Sequence, residues 1–333
     1  NNDALQKRLL AYHEMNHLVQ IEYDTSWTAG LYGEGLPRTI EDRVDTALDA
    51  DTGHLFIPEV NDVIGTDNIR NKDLATLSYR TVLWWTWVMD QYRQGAGIDP
   101  PVTATNDVGW DALRDFYLEI ATQPDDELGA LSDTISSLGG SFRDDFIDYT
   151  LALYAYKFNP TDPRLGFLDA EINATAGLSG HTVISGAGAW TTDSPDMDPR
   201  SSRYWEFSPA NQGDYVSFTF DGRGKPYGFS VMTVDGGNLD RRWTSYSDTF
   251  TRTVRSADLD RVVGVVSAFD QTGLVDVSYG YVQPAINIKD PTSSAFEMVG
   301  MADDPRSFLV RLDVDGKDGA AVAGLTKDEF TVT

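Results

Sequence analysis

The five residues His13-Glu14-Met15-Asn16-His17 constrain this chain more than any other stretch. Residues four apart share one face of a helix, so a helix here brings two imidazoles onto one metal ion and leaves Glu14 beside them to handle a proton. The chain has four histidines, His13, His17, His54 and His181, and no cysteine. Without thiolates, a metal such as zinc must be held by nitrogen and oxygen. A third protein ligand is still needed. Residues 31–42, Leu-Tyr-Gly-Glu-Gly-Leu-Pro-Arg-Thr-Ile-Glu-Asp, offer Glu34 on a segment able to fold back against the first helix.

Sixteen residues separate His17 from Glu34. In this spacing the sequence resembles the gluzincin metallopeptidases, in which H-E-x-x-H is followed by a Glu-Gly-Leu-type element carrying the third ligand. The resemblance implies Zn2+ on His13, His17 and Glu34, with Glu14 as the general base that takes a proton from the zinc-bound water and returns it to the leaving amine. One position departs from the thermolysin-like pattern. There an aspartate four residues after the ligand glutamate orients a zinc-bound histidine, and here Arg38 occupies that place. Glu41, Asp42 and Asp24 are the acids left for the task. Chains of this kind often present an aromatic hydroxyl or imidazole to the developing oxyanion, and Tyr79 is the candidate. The family's first helix normally follows a sheet, whereas this chain begins twelve residues before His13. The sequence therefore reads as part of a longer protein.

Apolar spacing predicts the motif helix over 3–20 and a second helix over 39–48, with Pro37 compatible only with a helix's first turn. The stretch 49–73 is polar and broken by Gly and Pro, which predicts a long surface loop, with His54 in it as a solvated residue. Residues 78–93 hold Trp84, Trp85, Trp87 and their apolar neighbours nearly all round, the pattern of a central buried helix. Further helices are expected over 107–122, 125–138 and 142–158. Together, residues 1–163 make an expected α-helical, zincin-like domain.

Two prolines in Asn159-Pro-Thr-Asp-Pro163 end the helical part. Short runs at 204–207, 215–220, 228–234, 249–254, 262–269 and 275–282 follow, rich in β-branched and aromatic residues and separated by glycine turns. They predict an all-β, immunoglobulin-like sandwich over 164–283. Residues 284–333 read as the start of a further module of that kind, with strands at 307–314 and 330–332. Asn173-Ala-Thr175 is a glycosylation sequon, meaningful in an exported protein. The acids of 313–318 surround a glycine as in a calcium loop but lack its closing glutamate, so a hairpin turn is expected.

The chain of 333 residues has 26 basic and 52 acidic residues, and only seven of the cations are lysine. A net charge of −26 repels nucleic acid and anionic lipid. Aspartate excess with scarce lysine is the surface chemistry of halophilic, brine-adapted proteins and points to an archaeal source. No apolar run reaches the length of a membrane span, and no nucleotide fingerprint or Ser-His-Asp order is present. The expectation is an extracellular or cell-surface zinc endopeptidase acting on peptide or protein substrates, its β modules contacting cell-surface neighbours. The competing expectation is a non-catalytic surface protein on the same scaffold, against which the intact Glu14 counts, since a scaffold needs no base.

Overall fold

The computed structural model describes residues 2–24, 30–44, 57–92, 109–160, 162–168, 172–173, 175–184, 190–208 and 215–282, together with short strands beyond 283. Helices come first and β-strands follow, as expected. The helices are α1 (Asn2–Tyr23), α2 (Gly35–Val44), α3 (Ile57–Gly65), α4 (Asp67–Arg70), α5 (Val82–Gln91), α6 (Trp110–Ile120), α7 (Glu127–Ser137) and α8 (Phe142–Ala155), with 3-10 turns at Leu74–Thr76 and Ser78–Thr81 ahead of α5.

Helix α5 is the hub of this part. Trp84, Trp85 and Trp87 are almost wholly buried, so none of its faces reaches water. Truncating one such tryptophan to alanine costs about 3–5 kcal/mol by analogy with other cores. Arg43 of α2 and Asp90 of α5 form an ion pair at 2.8 Å with both side chains fully buried. Arg43 also donates to the Thr86 carbonyl, and the second Asp90 oxygen accepts the Leu168 amide. Those contacts pair the two charges and fasten α2 along α5.

The strands are β1 (Asn159–Pro160), β2 (Thr182–Ile184), β3 (Thr191–Asp193), β4 (Asp196–Met197), β5 (Ser201–Phe207), β6 (Tyr215–Asp221), β7 (Tyr227–Asp235), β8 (Asn238–Ser247), β9 (Thr249–Arg255), β10 (Arg261–Ala268), β11 (Gly273–Leu274) and β12 (Asp276–Val282). One sheet has the order β1-β8-β7-β10-β5-β2 and a second the order β3-β12-β6-β9. Gly236 and Gly237, both at positive φ, close the β7–β8 hairpin in the primed-turn geometry that matches strand twist.

Alternation along β7 and β10 shows how the layers stack. Tyr227, Phe229, Val231, Val262 and Val266 face the second sheet, in a core with Phe207, Phe218, Phe220 and Val277. Their neighbours Met232, Val234, Val263 and Val265 face the other way and join the core of the helices. Helix α8 lies on that face, where the Thr150 and Ser267 hydroxyls meet at 2.6 Å and the Tyr204 hydroxyl donates to the Thr150 carbonyl. The six-stranded sheet is thus covered on both sides, which explains why β7 and β10 are buried along nearly their whole length.

Several boundaries differ from expectation. The stretch 49–73 holds helices α3 and α4 in its described part, where Val60, Val63 and Ile64 are buried at helical spacing. Pro58 and Gly65 look like loop signals but sit at the helix ends, where each is tolerated. The second helix, Gly35–Val44, starts four residues earlier than predicted, and residues 45–48 of the predicted span lie outside the described residues. The break at 159–163 supplies β1, whose Pro160 is accommodated at the sheet edge. The division at 163 marks the change from helix to strand, yet one buried cluster crosses it. Strand β8 had no strand signal because its residues, Asn-Leu-Asp-Arg-Arg-Trp-Thr-Ser-Tyr-Ser, are mostly polar. It is held by pairing with β7 and by Arg242 on Asp148 of α8 at 2.6 Å.

Beyond 283, β13 (Pro284–Ala285) pairs with β16 (Asp315–Gly316) and β14 (Met298–Met301) with β15 (Phe308–Val310). The expected strand at 330–332, like His54, lies outside the described residues. Among those described, no helix is long and apolar enough to cross a membrane. In the sequon, the Asn173 amide nitrogen donates to the Phe167 carbonyl at 2.9 Å and the Thr175 hydroxyl to the Ile172 carbonyl at 2.6 Å.

Candidate metal centre

Helix α1 turns its polar side inward. His13, Asn16, Gln20 and Asp24 are buried, while Leu10, Met15, Leu18, Val19 and Ile21 are exposed. This is the reverse of an ordinary surface helix, and each buried polar group needs a partner. Asn16 accepts the Tyr117 hydroxyl of α6 at 3.0 Å. Asp24 accepts the Tyr32 hydroxyl at 2.6 Å.

The opposing wall is the turn at 31–34. The Leu31 carbonyl accepts from the Thr81 hydroxyl at 2.7 Å and from the Trp85 indole at 2.9 Å. Gly35 lies so close to Thr81 that a Cβ there would meet the threonine oxygen at 1.9 Å. The glycine after Glu34 therefore allows the close approach that aims Glu34 at α1. Arg38 and Pro37 fall in the first turns of α2, consistent with proline's restriction.

His13, His17 and Glu34 come together, with one ligand atom from each within 4.8 Å of the others. The same Glu34 oxygen, Oε2, lies 3.2 Å from His13 Nε2 and 3.5 Å from His17 Nε2. The opposite ring nitrogens are engaged. His13 Nδ1 is 2.6 Å from Glu41 Oε1, and His17 Nδ1 is 2.7 Å from Gln20 Oε1. Gln20 spends its amide N–H on the Tyr32 carbonyl at 2.9 Å, which fixes its oxygen as the acceptor. Both imidazoles therefore carry hydrogen on Nδ1, and as neutral rings they turn Nε2 toward the Glu34 carboxylate. In that state the two nitrogens and the carboxylate oxygen fit a cation, and the nitrogen, nitrogen, oxygen donor set suits zinc.

Burial opposes charge on His13, but the adjoining Glu41 carboxylate outweighs it and raises the imidazole pKa above its ordinary value. Glu14 is exposed on α1 and takes no part in the donor cluster. Tyr79 does not start a buried helix. It sits on the 3-10 turn before α5, is 37% exposed, and stacks at 6.1 Å on the His13 ring. Its hydroxyl pKa is raised, first by burial and then by the hydrogen bond to Glu34. Ser78, just before it, has φ +53, a left-handed conformation that is costly for a non-glycine residue.

Of the three acids considered for orienting a histidine, Glu41 is the one on His13. Gln20 and the Thr81–Trp85 anchor were not read from the sequence. Gln20 was findable, being three residues after His17 on the same helical face. The anchor depends on contacts across fifty residues and left no local signal.

No family model matches the chain, and no curated protein matches it. Among solved structures it is similar to the pre-peptidase C-terminal domain of a collagenase from Bacillus anthracis, at 12% identity over 30% of this chain and 93% of that one, with a TM-score of 0.23. So slight a likeness carries no argument about fold or function.

Proposed function

We propose that this protein is a zinc-dependent peptidase acting outside the cell or at its surface, with His13, His17 and Glu34 as the metal ligands. The observation that carries the reading is the convergence of two imidazole nitrogens and a carboxylate oxygen, the opposite nitrogen of each ring being held by Glu41 or Gln20. Zinc in such a site supplies Lewis acidity, polarising a carbonyl and bringing the pKa of water toward ~7. Glu14 follows His13 directly on α1 and is exposed, so its carboxylate is free to take a proton from the attacking water and pass it to the leaving nitrogen. The Tyr79 hydroxyl, hydrogen-bonded to Glu34 beside the ligands, would turn to donate a hydrogen bond to the developing oxyanion. Glu41 and Gln20 hold the two rings in the tautomer a ligand requires.

Peptide substrates are favoured by the H-E-x-x-H and Glu-Gly-Leu spacing. The test is Glu14→Gln, assayed in high salt against a broad peptide library. The variant should keep its zinc and fold while turnover falls ~10²–10⁴-fold, the usual contribution of a general base. A parent that binds zinc and cleaves nothing, or a variant as fast as the parent, contradicts the reading.

A further inference from the structure

Arg38 is the residue that breaks the resemblance, standing where thermolysin-like chains place an acid. Its surroundings explain the exchange. The Glu41 carboxylate is about 1% exposed, and its Oε1 meets both His13 Nδ1 at 2.6 Å and Arg38 Nη1 at 3.1 Å. Its Oε2 accepts from the same Nη1 at 3.0 Å. A carboxylate so deeply buried needs an opposite charge, and a neutral metal-ligating histidine offers none. Arg38 supplies it from one turn earlier on the same helix, the i, i+3 spacing that brings side chains together.

The guanidinium has two further neighbours. Glu59 of α3 lies 3.8 Å from Nη2, and the Tyr79 ring lies 5.1 Å from the guanidinium carbon in a cation–π contact. Arg38 therefore touches the acid behind His13 on one side and the aromatic ring over His13 on the other. Among the described residues it forms no hydrogen bond or ion pair with His13, His17 or Glu34.

We infer that Arg38 is a positioning residue of the metal centre, clamping Glu41 so that its oxygen stays on His13 Nδ1 and seating the Tyr79 ring beside the ligands. The orienting carboxylate has moved from four to seven residues after Glu34, and an arginine at the vacated position holds it there. A lysine keeps the charge but not the planar fork or the broad stacking face. The inference rests on the proposed zinc site, and its test separates the two.

Zinc affinity is measured by chelator competition on the parent, Arg38→Met, Glu41→Gln and the double variant, each confirmed folded by circular dichroism. Orienting partners of metal-bound histidines are worth about 10–100-fold in affinity, so each single variant should weaken zinc within that range. Because Arg38 acts through Glu41, the double variant should be no weaker than Glu41→Gln alone. Unchanged affinity in Arg38→Met, or losses that multiply in the double variant, overturns the inference and leaves the zinc site standing. A parent that binds no zinc removes both. Where Arg38→Met does not fold, Arg38→Lys carries the test, with a smaller loss that must vanish in the Glu41→Gln background. Cobalt substitution gives a second readout, since a shifted visible spectrum in the arginine variant reports altered ligand geometry that a purely structural role leaves alone.

Discussion

The cluster at His13 and the cluster at Glu206 use the same kinds of side chain and differ in what happens to their lone pairs. At Glu206 of β5, Oε2 accepts the Tyr154 hydroxyl at 2.7 Å and lies 3.2 Å from His181 Nε2, while Oε1 accepts from Arg261 at 2.7 Å. Burial opposes the charge, but those three donors outweigh it and bring the Glu206 pKa down to about 2. Both Glu206 oxygens meet donors, and the cluster ties α8, β5, β10 and the start of β2 together. At His13 the hydrogen bonds to Glu41 and Gln20 lie at the back of each ring, and the front brings two imidazole nitrogens and the Glu34 carboxylate together beside the Tyr79 hydroxyl. A buried cluster closed by donors is a fastening, whereas one closed only by a cation is a binding site.

The largest expected effect comes from breaking the fastening. Glu206→Ala leaves the buried Tyr154 hydroxyl and His181 without their acceptor and should cost about 2–4 kcal/mol of unfolding free energy in a denaturant titration, with little added by Arg261, which is 41% exposed. Glu34→Ala should act oppositely in metal-free protein. It removes the partner of the Tyr79 hydroxyl, whose residue is 37% exposed, so the change there should stay below about 1 kcal/mol, while stabilisation by zinc disappears. In the parent that stabilisation should reach about 4 kcal/mol at a thousandfold excess over Kd. Comparable losses in the two metal-free variants would erase the contrast.

A smaller effect should follow from Gln20→Ala, which frees the His17 ring and should weaken zinc about tenfold by chelator competition. Acid separates the clusters as well. The Glu206 pKa is lowered in the folded state, so its contribution is fully present above the ordinary carboxylate range of ~4.3 and is lost as pH falls toward 2. The stability gap between the parent and Glu206→Gln should therefore narrow from pH 6 to pH 2, and a constant gap would contradict the assignment. Salt should have the smallest effect on either cluster, because both are buried. Screening of the −26 surface should still raise the melting temperature between dilute buffer and molar salt. A flat or falling melting temperature would remove the halophile argument.

What the sequence disclosed follows the range of each interaction. His13, His17 and Glu34 were legible because a helical repeat and a short return loop bring them together locally. Helix α5 was legible because tryptophans on every side leave no solvent face. Strand β8 was not, since its place comes from pairing with β7 and from Arg242 reaching α8, neither visible in its own residues. Burial of the six-stranded sheet on both faces also escaped the reading. The apolar runs of β7 and β10 fit one covered face as well as two, and only the packing of α8 decides. The Glu206 cluster joins residues 52 and 55 apart, beyond any motif. Arg38 was noticed as a departure, but its role required seeing Glu41 one turn further along.

The central claim is that His13, His17 and Glu34 form the cation-closed cluster, and zinc content tests it most directly. After dialysis against trace zinc, elemental analysis should find one zinc per chain in the parent and in Glu14→Gln, and close to none in His13→Ala and Glu34→Ala. Stoichiometric zinc in either ligand variant, or none in the parent, would contradict the account.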